Sequence, residues 1–318
     1  MSGKFTYEKT LKTKPGESFL NLQQYLFITS GTLTRLFYYT NVSPHQVILL
    51  SMIFGLAASY LMIQPSKYSA IAGALLLFYK NVLDKVDGSL ARAKGLDSRR
   101  GRFYDSISDF IVTLASFTAI SFHLYFQYHS YYIIFAGFTA MIFSMLQCSY
   151  FIYYQVSFIK QTGKDTVNRI TEEVTLDDIH NQDKWTTFLQ RVFQLIYGWQ
   201  DRLFYSLDKM LLNRISDKLN STLSMSLSVM RNPASAGQNT QTTQVTQYTL
   251  DSIWYKNKPF LTLASSLSIG THIFLICISA ILGRFYYYIF VNLILMNLLL
   301  IFSIIYHYRS TINKLKNK

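Results

Sequence analysis

Apolar residues in this chain gather into six long stretches separated by short polar turns and one long polar insertion. The stretches run Val47 to Ile63, about Tyr68 to Leu83, about Ile107 to Phe126, about Tyr131 to Phe158, Phe260 to Leu282 and Tyr286 to Tyr306. A helix rises about 1.5 Å per residue, so a hydrocarbon core of about 30 Å calls for roughly 20 apolar residues. Each stretch approaches that length, which predicts six transmembrane helices. Ser43-Pro44 reads as the N-cap and first helical position of the first. Before it, Glu17 to Thr40 places Phe19, Leu20, Leu22, Tyr25, Leu26, Ile28, Leu33 and Leu36 among polar residues at roughly helical spacing, which predicts an amphipathic helix in the membrane interface. The polar start of the chain lacks the early apolar core of a cleavable signal peptide.

The predicted fold is therefore all-α and integral to a membrane. Residues 1–42 form a polar N-terminus with the interfacial helix, and 43–159 carry spans one to four. Residues 160–258 form an insertion, and 259–318 carry spans five and six with a basic tail. Within the insertion, 183–219 has helical periodicity through Trp185, Phe188, Val192, Ile196, Trp199, Leu203, Leu207, Leu211 and Ile215. Residues 221–249, rich in Ser, Gln, Thr and Asn, read as a flexible linker. The insertion holds ten of the 17 acids and is expected to be solvated.

Composition supports this class. Half of the 318 residues are hydrophobic and 15% are charged, against about 25% in soluble domains. The net charge of +13 could mark a nucleic-acid binder, but its distribution argues otherwise. Basic residues crowd before span one (Lys4, Lys9, Lys12, Lys14, Arg35), between spans two and three (Lys80 to Arg102) and at the end (Arg309 to Lys318). The alternate loops carry only Lys67 and Arg284. By the positive-inside rule both termini, the even-numbered loops and the insertion face the cytoplasm, and no nucleic-acid partner is expected. Cys148 and Cys277 fall inside spans four and five, where buried free thiols are expected.

Acids are scarce outside the insertion. Only seven occur, and four of these, Asp84, Asp87, Asp105 and Asp109, lie at the cytoplasmic ends of spans two and three. Asp84, Asp87, Gly88 and Ala91 share one helical face, and Asp105 and Asp109 share another. Antiparallel packing of the two spans would bring four carboxylates to one depth, where divalent cations such as Mg²⁺ or Mn²⁺ would relieve their repulsion. The plainer alternative pairs them with Lys80, Lys85, Arg99 and Arg102 in a solvated turn.

The spacing Asp-x2-Asp-Gly-x2-Ala-Arg-x8-Gly-x3-Asp-x3-Asp, filled by Asp84, Asp87, Gly88, Ala91, Arg92, Gly101, Asp105 and Asp109, resembles the signature of the CDP-alcohol phosphotransferase family. The resemblance spans roughly 16–160 and 259–310 and leaves the insertion outside. It implies a transferase of phospholipid biosynthesis that moves a substituted phosphate from a CDP-alcohol to an acceptor hydroxyl and releases CMP. By position, Asp84, Asp87 and Asp105 would hold a two-metal site of Mg²⁺ or Mn²⁺. Asp109 would lie close to the metals and act as general base. Gly88, Ala91, Arg92, Ser98 and Gly101 would meet the donor. The family's Pro-Asn-x-x-Thr at the start of span one is replaced by Pro44-His45-Gln46-Val47-Ile48, which leaves His45 as a candidate donor contact. Lys256 and Lys258 are candidate contacts to donor or acceptor.

The expected donor is CDP-diacylglycerol and the acceptor a small polar alcohol. An alternative within the class is a CDP-linked head group donating to diacylglycerol; its members read Gly-Lys-Gln-Ala-Arg-Arg where this chain has Gly88-Ser89-Leu90-Ala91-Arg92-Ala93. A soluble CDP-polyol donor is a third. Outside the class, a cation transporter or a non-catalytic membrane scaffold would use the same acids differently. A homodimer is left open.

Overall fold

A computed structural model of the chain describes residues 5–11, 19–21, 27–162, 169–229 and 250–316. Among these every regular element is helical. The order is α1 (Phe27–Tyr38), α2 (Pro44–Ile63), α3 (Lys67–Lys94), α4 (Arg99–Tyr128), α5 (Tyr131–Thr162), α6 (Leu176–Asn181), α7 (Lys184–Val229), α8 (Lys258–Ala264), α9 (Ile269–Ile281), α10 (Tyr286–Phe290) and α11 (Asn297–Lys316). A short 3₁₀ turn at Tyr7–Thr10 precedes them, and a π-helical turn, Val291–Met296, joins α10 to α11.

Helices α2, α4 and α5 and the continuous helix Tyr286–Leu315 are long and apolar enough to cross a bilayer. The predicted fifth span is two helices, Lys258–Leu267 and Ile269–Ile281, bent by 41°. The break has a local cause. Ser265, Ser266 and Ser268 donate their hydroxyls to the carbonyls of Thr262, Leu263 and Ser265, competing with the helical ladder. The predicted second span is a helix of 28 residues, but Lys67, Lys80 and Asp84 divide its apolar length.

Caps fix the ends that matter. Ser43 caps α2 in a reciprocal capping box with Gln46, and Pro44 follows at the first helical position, as the sequence predicted. Helix α3 ends at Gly95, whose φ of 65° lies in the left-handed region. Ser98 caps α4 by accepting from the Gly101 amide at 3.2 Å. The polar turn between α3 and α4 is thus short and defined at both sides. The α2–α3 crossing is close because Gly73 faces the Ala58 carbonyl; a Cβ there would lie 2.7 Å from that oxygen.

The interfacial helix is described only in part. Residues 17–18 and 22–26 of the predicted segment lie outside the described residues. Helix α1 buries Ser30 and Thr34, packs Leu33 and Phe37 toward Val47, Leu83, Val86 and Leu90, and leaves Leu36 exposed.

The insertion departs from its expectation of solvation. Helix α7 continues to Val229, past the predicted end at 219, and 230–249 of the predicted linker lie outside the described residues. Glu172, Asp178 and Asp208 are buried. Asp208 accepts hydrogen bonds from Tyr153, Trp254 and Tyr255, tying α7 to α5 and to the residues before α8. The buried seam of α7 is Leu189, Phe193, Phe204, Leu211 and Ile215, while Trp185, Phe188, Leu195, Trp199 and Leu203 are exposed. His272, deep in the apolar region, has the neighbouring-helix partner that burial demands, the Tyr288 hydroxyl at 3.2 Å. Cys148 and Cys277 are free thiols.

Candidate functional site

Helix α3 carries Asp84, Asp87, Gly88, Ala91 and Arg92 on its C-terminal half, and α4 carries Gly101, Asp105 and Asp109 on its first turns. Because the intervening turn holds only four residues between the two helix ends, the helices fold back on each other and their acids converge. Oxygen atoms of Asp84, Asp105 and Asp109 lie within 4.8 Å of one another. Asp87 stands outside that triplet. It is 3% exposed, and its Oδ2 is buried with no hydrogen-bond partner among the described residues. Electrostatically it feels Asp105, Asp84 and Asp109.

Lys80, one turn before Asp84, completes the cluster. It is buried, and its Nζ donates to Asp84 Oδ1 at 3.1 Å and to Asp109 Oδ1. The plainer sequence alternative, pairing of these acids with nearby cations, therefore holds for Lys80. It fails for Arg99 and Arg102, which turn away to the insertion. Arg99 donates to Glu172 and to Asp178, and Arg102 donates to Glu172. Arg169 supplies two further bonds to Asp178 at 2.8 Å.

This clamp escaped the sequence reading because Arg99 and Arg102 lie 70 or more residues from Glu172 and Asp178. One local signal was present. Thr175-Leu-Asp-Asp178 is a capping box, which fixes Asp178 at the start of α6. Although burial alone would raise it, bonds from Arg169, the Thr175 amide, Gln190 and Arg99 hold the Asp178 carboxyl well below the usual carboxylate range.

The clamp brings α7 against the site. The Tyr197 hydroxyl donates to the carbonyl of Ser106, next to Asp105, and the Tyr197 ring meets Phe110 edge-on. Ser149 of α5 donates to Gln200 at 2.5 Å. Tyr197 and Gln200 thus belong to a packed helix that borders the acids.

The remaining sequence candidates fall in different places. Gly101 lies near His45: a Cβ on Gly101 would meet Ser98 Oγ at 3.3 Å and His45 Nε2 at 4.0 Å. His45 also meets Tyr104 edge-on, so it borders the start of α4. Ser98 is the α4 cap. Arg92 Nε donates to the Thr10 carbonyl at 2.7 Å, drawing the N-terminal turn onto α3. Ala91 lies one helical turn beyond Gly88 on α3. Lys256 and Lys258 flank Asn257 ahead of α8, where Asn257 bonds to Ser310 and Lys314 of α11.

Two observations bear on a metal. The convergent donors are all carboxylate oxygens, the hard ligands that suit Mg²⁺ or Mn²⁺, and Asp87 contributes a buried oxygen with an unmet demand. Gly88 bears on the donor. Mid-helix glycine costs about 1 kcal/mol relative to alanine. Yet among the described residues a Cβ at Gly88 would meet only Arg92, at 3.4 Å, so their packing does not require glycine there. The bare backbone leaves a cradle for something to approach.

Comparison with individual curated proteins returns no match. A family model, described as CDP-alcohol phosphatidyltransferase, matches residues 41–225, more than half of the chain. The match begins just before α2 and ends within α7. It therefore takes in α6 and most of α7, which the sequence reading set outside the resemblance, and does not reach α8 to α11, which that reading set inside. Family model and convergent aspartates agree, and the chain belongs to the CDP-alcohol phosphatidyltransferase family, membrane phosphotransferases of phospholipid synthesis.

Proposed function

We propose that this protein transfers a phosphatidyl group from CDP-diacylglycerol to the hydroxyl of a small polar alcohol, releasing CMP. The observation that carries the reading is the convergence of Asp84, Asp105 and Asp109 within 4.8 Å beside a buried, unpartnered Asp87 oxygen. Asp84, Asp87, Asp105 and Asp109 would hold divalent cation, Mg²⁺ or Mn²⁺. When bound, such a cation neutralises the diphosphate and the departing CMP.

The chain's own groups supply the rest. Asp109 takes the proton from the acceptor hydroxyl as its oxygen forms a bond to the phosphorus bearing the lipid, and the bond from that phosphorus to the CMP oxygen breaks. Gly88 lets the donor approach the α3 backbone, and Arg92 offers a guanidinium to phosphate. Ala91, Ser98, Gly101 and His45 would complete the donor contacts. Lys256 and Lys258, at the start of the bent α8–α9 pair, would serve donor or acceptor.

The fuller architecture belongs to this proposal. Helix α3 and the bent α8–α9 pair would join the four apolar helices to make six spans, with both termini and the acids on the cytoplasmic side. Helix α7 would lie along that membrane face, with Trp185, Phe188, Leu195 and Trp199 toward lipid.

Purified protein in detergent with Mg²⁺ or Mn²⁺ should release CMP from CDP-diacylglycerol when given the right alcohol from a panel. Turnover only with a CDP-linked head group and diacylglycerol would move the donor assignment, and CMP release from no pair would refute the reading. A second expectation concerns Gly88→Ala. The added methyl removes the cost of a mid-helix glycine and meets no backbone, so thermal stability should hold or rise slightly. The KM for donor should rise about tenfold, the scale of a lost 1.4 kcal/mol contact. An unchanged KM would remove Gly88 from the donor site.

A further inference from the structure

Asn81 lies midway along α3 with Leu77, Val82, Leu83 and Val86 buried around it in sequence, and is itself 1% exposed. Among the described residues neither its Nδ2 nor its Oδ1 has a hydrogen-bond partner. The other buried amides with an unmet oxygen, Gln147, Gln182, Gln190 and Asn292, all use their nitrogens. Ser51, which reaches this part of α3 from α2, spends its hydroxyl on the Lys80 carbonyl. A buried amide unpaired at both ends costs stability, and leucine would fill much the same space without that cost. A bound group that pairs with the amide would remove the cost.

Position on the helix says where such a group lies. Asn81, Asp84 and Gly88 share one face of α3, at i, i+3 and i+7. At 1.5 Å per residue, Asn81 is about 4.5 Å along the axis from Asp84 and about 10 Å from Gly88, on the side away from the α3 C-terminus. It therefore flanks the acids on the side opposite to Gly88 and Arg92.

The chemistry of the amide says what the group is. Phosphate oxygens and ester carbonyls only accept, so they would leave Oδ1 unmet, and an ammonium only donates, so it would leave Nδ2 unmet. A hydroxyl both donates and accepts, and answers the whole amide. The ribose hydroxyls of the donor belong with its nucleotide, at the Gly88 and Arg92 end. The reacting hydroxyl of the acceptor gives its proton to Asp109. What is left is a second hydroxyl on the acceptor.

We propose that Asn81 binds a non-reacting hydroxyl of the acceptor, which is therefore a polyol and not an amino alcohol or a lipid with a single hydroxyl. This assignment rests on the transfer reaction proposed above and narrows its acceptor.

The test uses full-length protein in detergent with Mg²⁺ or Mn²⁺ and follows CMP release. Glycerol, glycerol 3-phosphate and inositol serve as polyol probes with CDP-diacylglycerol, ethanolamine and serine as amino-alcohol probes, and CDP-ethanolamine with diacylglycerol as the head-group pair. A polyol should support turnover. Asn81→Leu should raise the KM for that polyol roughly 10- to 100-fold while the KM for CDP-diacylglycerol changes little. Asn81→Ser, which restores one donor and one acceptor, should recover part of the loss. Without ligand, Asn81→Leu should melt no lower than wild type, because it removes an unmet amide.

Turnover with an amino alcohol or with diacylglycerol, and with no polyol, overturns the assignment and leaves the transfer reaction standing. An unchanged polyol KM in Asn81→Leu also overturns it, since the amide then holds only an ordered water. A lower melting temperature in both Asn81→Leu and Asn81→Met overturns it as well, because the amide is then paired within the protein. CMP release from no donor and acceptor pair removes the transfer reaction itself, and this assignment with it.

Discussion

Replacing Asp109 by asparagine is expected to lower kcat for CMP release by roughly 10²–10⁴-fold, the range spanned by loss of a general base. The substitution keeps shape and leaves an amide oxygen that can still accept from Lys80, so the α3–α4 packing should survive. Gly88 and Arg92 lie on the other helix and are untouched. Donor binding should therefore change little, and the loss should fall on kcat with KM nearly constant. Steady-state CMP release together with equilibrium donor binding separates the two. A wild-type kcat in Asp109→Asn would take the base assignment away from this residue.

The second large effect is structural and lies outside the acidic motif. The Glu172 side chain is fully buried and receives Arg99, Arg102 and the Arg169 amide. Removing one partner of a buried ion pair leaves the other uncompensated, at a cost of about 3–5 kcal/mol. Glu172→Gln should lower thermal stability and speed amide exchange through α6 and the start of α7, with weaker effects at α2. Stability equal to wild type would show that the clamp contributes nothing net.

Asp178 gives the clamp a pH signature. Its carboxyl is held below the ordinary value of 3.8, so its contribution is present above that value and is lost as pH falls further toward the folded one. The unfolded chain takes the proton first, and stability must fall on acidification. Unfolding measured at pH 7 and at pH 3 should show a larger drop in wild type than in Asp178→Asn; equal drops would contradict the assignment.

Much of this site was legible because its residues are close in sequence and lie on helices. Spacing alone put Asp84 with Asp87 and Asp105 with Asp109, and the four-residue turn between α3 and α4 brings three of those acids together. What stayed hidden depends on distance or environment. A count of acids suggested a solvated insertion, but Glu172 meets Arg99 across 73 residues of chain. Periodicity found the apolar positions of α7 and could not say which face meets protein. Leu211 and Ile215 are in the buried seam, whereas Trp185, Phe188 and Trp199 are exposed. The predicted fifth span looked continuous because serine is neutral in hydropathy, yet three serine hydroxyls bonded to the backbone accompany its 41° bend. Lys80 was visible only as a neighbouring cation; its place between Asp84 and Asp109 needed the fold.

The central claim is that these aspartates work through a divalent cation on a CDP-alcohol. It is tested most directly by following CMP release from CDP-diacylglycerol and the identified alcohol in chelator-stripped protein, before and after Mg²⁺ or Mn²⁺ is restored, in wild type and Asp84→Asn. Wild type should fall to background on stripping and recover on addition, and Asp84→Asn should stay near background throughout. Turnover that persists in stripped protein, or an Asp84→Asn enzyme that recovers like wild type, would contradict the account.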